Sequence, residues 1–302
     1  MTIPLTPITQ SMMQTMFRCE EKMRLRYLEK LVPPGPKDAA LSIGSAVHFG
    51  CETLSADRAV GALIEDRGPV WLEHEAEALE TEVAIVRAMV GGALEMWTAW
   101  PTQEDREVQF RVPFLNPATG RPSTRHTFEG VFDGVWPAVE AVRDSPVLME
   151  IKTTGRLDAA YLERLDLDWQ VSAYMAAASI IYKTRVRDMM YRAIRKPSIK
   201  QRKTETVADY AARLAADYLD RPEFYFEEVH VTRTDRQIER WWHEAWELHE
   251  RILRVENGGM TIRNPSHCLD YGQCKYFNLC RGVVGPSAFR VQEAHPELNR
   301  RR

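Results

Sequence analysis

The sequence predicts an α/β fold, a central mixed β-sheet flanked by helices, and three patterns carry that expectation. Apolar and polar residues alternate with period two at Glu107 to Leu115 and again at Thr127 to Trp136, as half-buried strands require. Strand-like and helical stretches then take turns from about residue 146 to residue 232, the order that builds layered α/β sheets. Both ends of the chain carry helical periodicity instead. With 302 residues and 44% hydrophobic content, one domain can bury a substantial core. Its expected regions are a helical N-terminal stretch over 1–100, an α/β core over 101–235, and a C-terminal helix with a cysteine-bearing tail over 236–302.

Residues 8–31 place apolar side chains at helical spacing, and Pro33-Pro34-Gly35-Pro36 closes that helix. Cys19 rides on it or at its edge. A second helix starts at Ser42-Ile43-Gly44-Ser45 and sets His48 and Glu52 four apart on one face. A long helix follows from about Pro69 to Trp100. The turn Asn116-Pro117-Ala118-Thr119-Gly120 joins the two alternating stretches into a hairpin. Pro146 to Thr153 (PVLMEIKT) is a short apolar run with two charges near its end, which suits a central strand delivering side chains to a site. Asp158 to Tyr182 reads as a helix with Gln170 and Tyr174 on one face, Asp188 to Ile194 as a strand, Thr204 to Leu219 as a helix, and Phe224 to Thr232 as a strand. Asp235 to Val255 is an amphipathic helix with Ile238, Trp241, Ala245, Leu248 and Ile252 on one stripe and Gly258 as its stop.

A formal net charge of -3 gives no protein-wide attraction for polyanions, so any nucleic-acid footprint must be a local basic surface. Arg192 to Lys203 (RAIRKPSIKQRK) supplies six basic residues and no acid. Arg192, Arg195, Lys196 and Lys200 are its candidates for phosphate contact, against the alternative of a solvated loop. The helical spacing of Trp241, Trp242 and Trp246 favours core packing over base stacking. There is neither a secretion signal nor a run of roughly 18 apolar residues, and the expectation is a soluble, cytoplasmic protein without membrane contact.

Asp133 and Glu150 are acids inside otherwise apolar strand segments, where a charge is costly unless it is paired or binds a metal. Hard divalent cations choose such oxygen ligands. Glu150 and Lys152 are separated by one residue, so on a strand they share a face while Ile151 points to the other. Taken alone, such a triplet reads first as a strand-end salt bridge, and His48 reads equally as a core or capping histidine.

Taken in order, Gly44-Ser45-Ala46-Val47-His48, Gly130-Val131-Phe132-Asp133, Glu150-Ile151-Lys152 and Gln170-Val171-Ser172-Ala173-Tyr174 resemble the motifs of the RecB-like branch of the PD-(D/E)xK nucleases. That branch includes AddB-type and CRISPR-associated members and many phage exonucleases, and the resemblance spans nearly the whole chain. It implies a restriction-endonuclease-like core and metal-dependent hydrolysis of DNA, by exonuclease action on single strands or duplex ends. Recombination, repair or phage DNA processing is the setting it implies, with DNA and a recombination or helicase protein as partners. By the same resemblance, His48, Asp133, Glu150 and the Ile151 carbonyl would ligate Mg2+ or Mn2+. Lys152 would orient or deprotonate the water, and Gln170 and Tyr174 would brace the site and contact the strand being cut. The alternative is a catalytically silent DNA-binding or assembly subunit of the same fold, against which the intact Asp133, Glu150 and Lys152 speak.

Five cysteines without a secretion signal are reduced thiols or metal ligands rather than disulfide partners. Cys268, Cys274 and Cys280 are spaced C-x5-C-x5-C, unlike the close pairs of zinc ribbons. One N-terminal cysteine, Cys19, with three near the C-terminus matches the iron-sulfur subgroup of the RecB-like nucleases, where a [4Fe-4S] cluster pins the chain ends together. The chain departs from the subgroup's commonest form, which has a C-x2-C pair near its C-terminus. Buried small hydrophobes and zinc ligands are the other readings, and Cys51 is the spare.

Overall fold

The computed structural model describes residues 5–35, 38–68, 72–139, 144–270 and 272–299. Pro36 and Pro69 lie outside them. The chain opens with β1 (Thr6–Ile8), α1 (Gln10–Arg18), α2 (Glu20–Met23) and β2 (Leu31–Val32), followed by α3 (Ala39–Thr53), α4 (Ala56–Arg67) and α5 (Glu73–Met96). The expected hairpin is β3 (Arg106–Leu115) and β4 (Pro122–Trp136), and β5 (Val147–Thr154) comes next. Then come α6 (Ala159–Glu163), α7 (Trp169–Ile181), β6 (Asp188–Arg195), α8 (Val207–Asp220), α9 (Pro222–Tyr225) and β7 (Phe226–Thr232). The chain closes with α10 (Asp235–Glu256), α11 (Phe277–Cys280) and β8 (Arg290–Val291).

Strand order in the main sheet is β1-β4-β5-β6-β7, with β3 also paired to β4. The sheet is mixed, as expected: β5 runs parallel to β6, while β4 and β7 are antiparallel to their neighbours β5 and β6. Strand β4 is long enough to serve two partners along one edge. Its residues 126–128 pair with β1 and residues 134–136 pair with β5, while β3 occupies the opposite edge. The stretch 129–133 lies between the two partners, and a cleft opens there.

Period-two alternation sends β5 side chains to both faces. Leu148 joins a layer with Met12, Met16, Val171, Met175, Ile238 and Trp241 from α1, α7 and α10. Met149 and Ile151 join the opposite layer with Ile43, Val47, Met89 and Leu214 from α3, α5 and α8. Helices therefore cover both sides of the sheet. The stripe read from the sequence on α10 is buried in full: Ile238, Trp241, Ala245, Leu248 and Ile252. Gly258 follows this helix at φ +84, the left-handed position a helix stop favours.

Local breaks depart from the sequence reading. The helix expected over 8–31 is interrupted at Cys19, whose backbone is extended (φ -164, ψ 112). This turns Glu20 inward, where it is 2% exposed and accepts hydrogen bonds from Arg251, Arg254 and the Ile262 amide. The helix expected over 158–182 breaks at Asp168, whose side chain caps α7 by accepting from the amides of Gln170 and Val171. Strand β7 begins two residues late because Pro222 starts a helical turn. Strand β1 and the small β2–β8 pair were not anticipated, since two or three residues carry no readable period. The tail folds back onto the N-terminal segment through β2–β8 and through the Tyr276 hydroxyl, which donates to the Leu31 carbonyl at 2.6 Å.

Candidate active site

Antiparallel register places Asp133 of β4 across from Glu150 of β5, one step beyond the Gly134–Met149 pair where the ladder ends. The amide of Ile151, lacking a ladder partner there, donates to Asp133 Oδ2 at 2.7 Å. The carbonyl of the same strand residue leaves from the same edge, toward the cleft. Gly130 lets the layers close beneath this point, because a Cβ there would come within 2.6 Å of the Phe110 ring.

Glu150 is 2% exposed. Its Oε1 accepts from Lys152 Nζ and from Gln170 Nε2, the latter at 2.8 Å, while Oε2 has no partner. Burial first, and then the charge of Asp133, push the Glu150 carboxyl up to about 8 against the pull of Lys152. For Asp133, burial pushes upward too. His48, Lys152 and the Ile151 amide outweigh it and hold that carboxyl below its ordinary value. Lys152 is pressed down by burial but raised more by Glu150 and Asp133, and it stays charged. One buried and one part-buried acid thus face one ammonium, and the arrangement has room for more positive charge.

Helix α3 brings His48 Nδ1 to 3.5 Å from Asp133 Oδ1. Cys51, one turn further along α3, is buried, and its thiol is pushed up to about 12 by burial and then by Asp133, so it stays protonated. Helix α7 presents Gln170 and Tyr174 to the same place. Burial, reinforced by Glu150 and Asp133, raises the Tyr174 hydroxyl well above its usual value, which keeps it a proton donor. His48, Asp133, Glu150, Lys152, Gln170 and Tyr174 all line one cleft of about 550 Å³. Glu107 of β3, which the sequence reading did not single out, lines it as well. Its ligand atom lies within 4.8 Å of those of His48 and Asp133, the one such group of three among the described residues.

A family model described as the PD-(D/E)XK nuclease superfamily matches residues 7–281. The chain belongs to that superfamily. Among solved structures, it is similar to a protein from Eubacterium rectale whose name assigns it, provisionally, as an exonuclease: 14% identity, 88% of this chain and 79% of that one covered, TM-score 0.49. No curated protein matches the sequence. The α/β fold with its mixed central sheet is that of the PD-(D/E)XK core, and no helix among the described residues is long and apolar enough to cross a membrane.

The basic segment of this PD-(D/E)XK chain divides in two. Lys196 lines the cleft, and with Lys200 it lines an adjoining groove. Arg192 does not reach either and corrects the expectation of phosphate contact: it is 2% exposed, with its guanidinium 5.0, 4.7 and 5.5 Å from the Trp97, Trp100 and Trp136 ring centroids. It also bonds Glu228 at 2.6 Å and the Ala99 carbonyl at 2.7 Å. Arg195 is half-buried, its guanidinium 4.0 Å from the Phe224 ring centroid and bonded to the Leu157 carbonyl, which makes it a packing residue too. If Lys196 and Lys200 meet phosphates, replacing both with Ala weakens DNA binding and lowers the slope of log K against log salt by about 1 per lysine. A fluorescence titration across salt concentrations checks it, and an unchanged slope refutes the contact.

Cys19, Cys268, Cys274 and Cys280 are free and half-buried. Burial raises the thiols of Cys268 and Cys280, reinforced for Cys268 by Cys274 and Cys19 and for Cys280 by Glu21 and then Cys274 and Cys19. These cysteines form no group of three ligand atoms within 4.8 Å. A single tetrahedral zinc, with Zn–S near 2.3 Å, would hold its sulfurs roughly 3.8 Å apart.

Proposed function

We propose that this chain is a Mg2+- or Mn2+-dependent deoxyribonuclease that removes nucleotides from the ends of single strands or duplexes. The observation that carries the reading is the buried, half-satisfied Glu150 beside Asp133 and Lys152 in an open cleft. A carboxylate oxygen without a partner, in a site with more acid than base, fits a divalent cation. His48, Asp133, Glu150 and the Ile151 carbonyl would hold it. When bound, the ion supplies neutralisation of the phosphate charge and a lowered pKa for water.

The protein groups divide the remaining work. Gln170 fixes Glu150 through Oε1 and leaves the buried Oε2 without a partner. Lys152, its side chain 34% exposed, is placed to orient the attacking water and to donate to the phosphate as charge grows. Tyr174, its hydroxyl kept protonated, would donate to the strand being cut, and Lys196 would steer that strand. Water attacks phosphorus, the bond to the 3'-oxygen breaks, and a 5'-phosphate is left. The test is incubation with end-labelled single-stranded and duplex DNA with Mg2+ or Mn2+ and with chelator. Ion-dependent release of nucleotides from an end is expected, and intact substrate in every combination overturns the reading.

The motif order supports placement in the RecB-like iron-sulfur branch, as a phage-type member acting in recombination, repair or phage DNA processing beside a helicase or recombination protein. We read the whole chain, 1–302, as one nuclease unit with the three regions set out above. Five free cysteines suit the reducing cytoplasm of a bacterial cell or infected host. Cys19, Cys268, Cys274 and Cys280 would hold a [4Fe-4S] cluster, whose four-thiolate ligation their number and type suit. Its role would be to staple the chain ends, since none of the four lines the cleft. Cys274→Ser is then expected to lose visible absorbance and thermal stability together. A colourless variant with wild-type melting removes the cluster from the proposal.

A further inference from the structure

Glu107 stands outside the motifs discussed above, yet its placement is unusual. It adopts φ +51, a left-handed conformation that residues with a Cβ avoid. In the β3–β4 register it falls between the Arg106–Gly134 and Val108–Phe132 pairs, opposite Asp133. Its ligand atom, with those of Asp133 and His48, makes a group within 4.8 Å, contributed by three different elements. The second observation is independent of that cluster: Glu150, 2% exposed and lining the same cleft, has an Oε2 without a partner.

We propose that Glu107 is a ligand of the catalytic cation. One imidazole and two carboxylates, from α3, β3 and β4, would then grip the ion together with Glu150 and the Ile151 carbonyl of β5. The left-handed backbone is retained because it brings this carboxylate opposite Asp133, a common use of unfavourable dihedrals at functional sites. A mixed nitrogen and oxygen ligand set favours Mn2+ over Mg2+ in affinity, since imidazole suits transition metals. The inference rests on the proposed cation dependence and adds to it a residue that none of the sequence motifs contains.

Glu107→Gly separates the two roles this residue could have. Glycine adopts φ +51 freely, so the variant keeps or raises the melting temperature of the ion-free protein while losing the carboxylate. Mn2+ affinity, read from the free-ion electron paramagnetic resonance signal, should fall by at least about tenfold. Glu107→Gln, which keeps the side-chain volume, should lose the same affinity and decides the matter if the glycine variant does not fold. Wild-type Mn2+ affinity in both variants overturns the inference and leaves the proposed function standing. Absence of Mn2+ binding by the wild type overturns both.

Discussion

Lys152→Met should cut the rate of DNA hydrolysis about 10³-fold, close to 4 kcal/mol of transition-state stabilisation, while the protein still folds at neutral pH. Methionine keeps the apolar stem and removes only the ammonium, so the loss reports on charge and proton donation. Folding survives because the carboxyl of Glu150, already at about 8, holds its proton at pH 7 and goes higher still without Lys152. The sign of the pH effect follows from linkage. In ion-free wild type, the folded state keeps a proton on Glu150 that the unfolded state has lost above the ordinary value of 4.5. Stability from this group therefore falls as pH rises from 4.5 toward about 8, then levels. In the variant the fall continues past that point. Urea unfolding in chelator at pH 6 through 9 and single-turnover cleavage with Mn2+ together check it. Cleavage at the wild-type rate would remove Lys152 from the chemistry, and parallel pH curves would remove its coupling to Glu150.

The sequence reading reached Asp133, Glu150 and Lys152 because strand alternation makes an acid in an apolar stretch conspicuous and the ordered motifs around it set aside the salt-bridge reading: period two fixes which residues share a face. Gln170 and Tyr174 came from the resemblance, helical spacing giving only their shared face, and the break at Asp168 that puts Gln170 in the first turn of α7 was not foreseen. That break depends on a side-chain cap formed only once Asp168 meets the amides of Gln170 and Val171. Glu107 escaped for a different reason. It looked like an ordinary first residue of an alternating strand, and its direction is set by one backbone dihedral, which composition does not encode. The cleft itself was likewise unreadable, because it exists where β1 and β5 share an edge of β4 and leave a gap, a tertiary pairing with a three-residue strand.

Arg192 gives the opposite lesson and a second large effect. Counted with its neighbours it is part of a basic run, but it sits inside β6, where Arg192 pairs with Ile151 and Glu228 on either side. A strand this central buries its residues, and a signal was present in the sequence: Met190, Arg192 and Ile194 share one face. The guanidinium is accepted there because it meets three indole faces, a carboxylate and a carbonyl at once, the planar multi-contact role in which Lys cannot replace Arg. Arg192→Ala is therefore expected to destabilise the protein by about 3 kcal/mol, the low end for a broken buried pair because Glu228 keeps access to water. Arg192→Lys should recover only part of that, since an ammonium cannot bond Glu228 and Ala99 while lying flat on the rings. Urea midpoints measure both losses, and the salt slope of DNA binding should stay that of wild type. Wild-type stability with a reduced slope would mean that Arg192 faces phosphate after all.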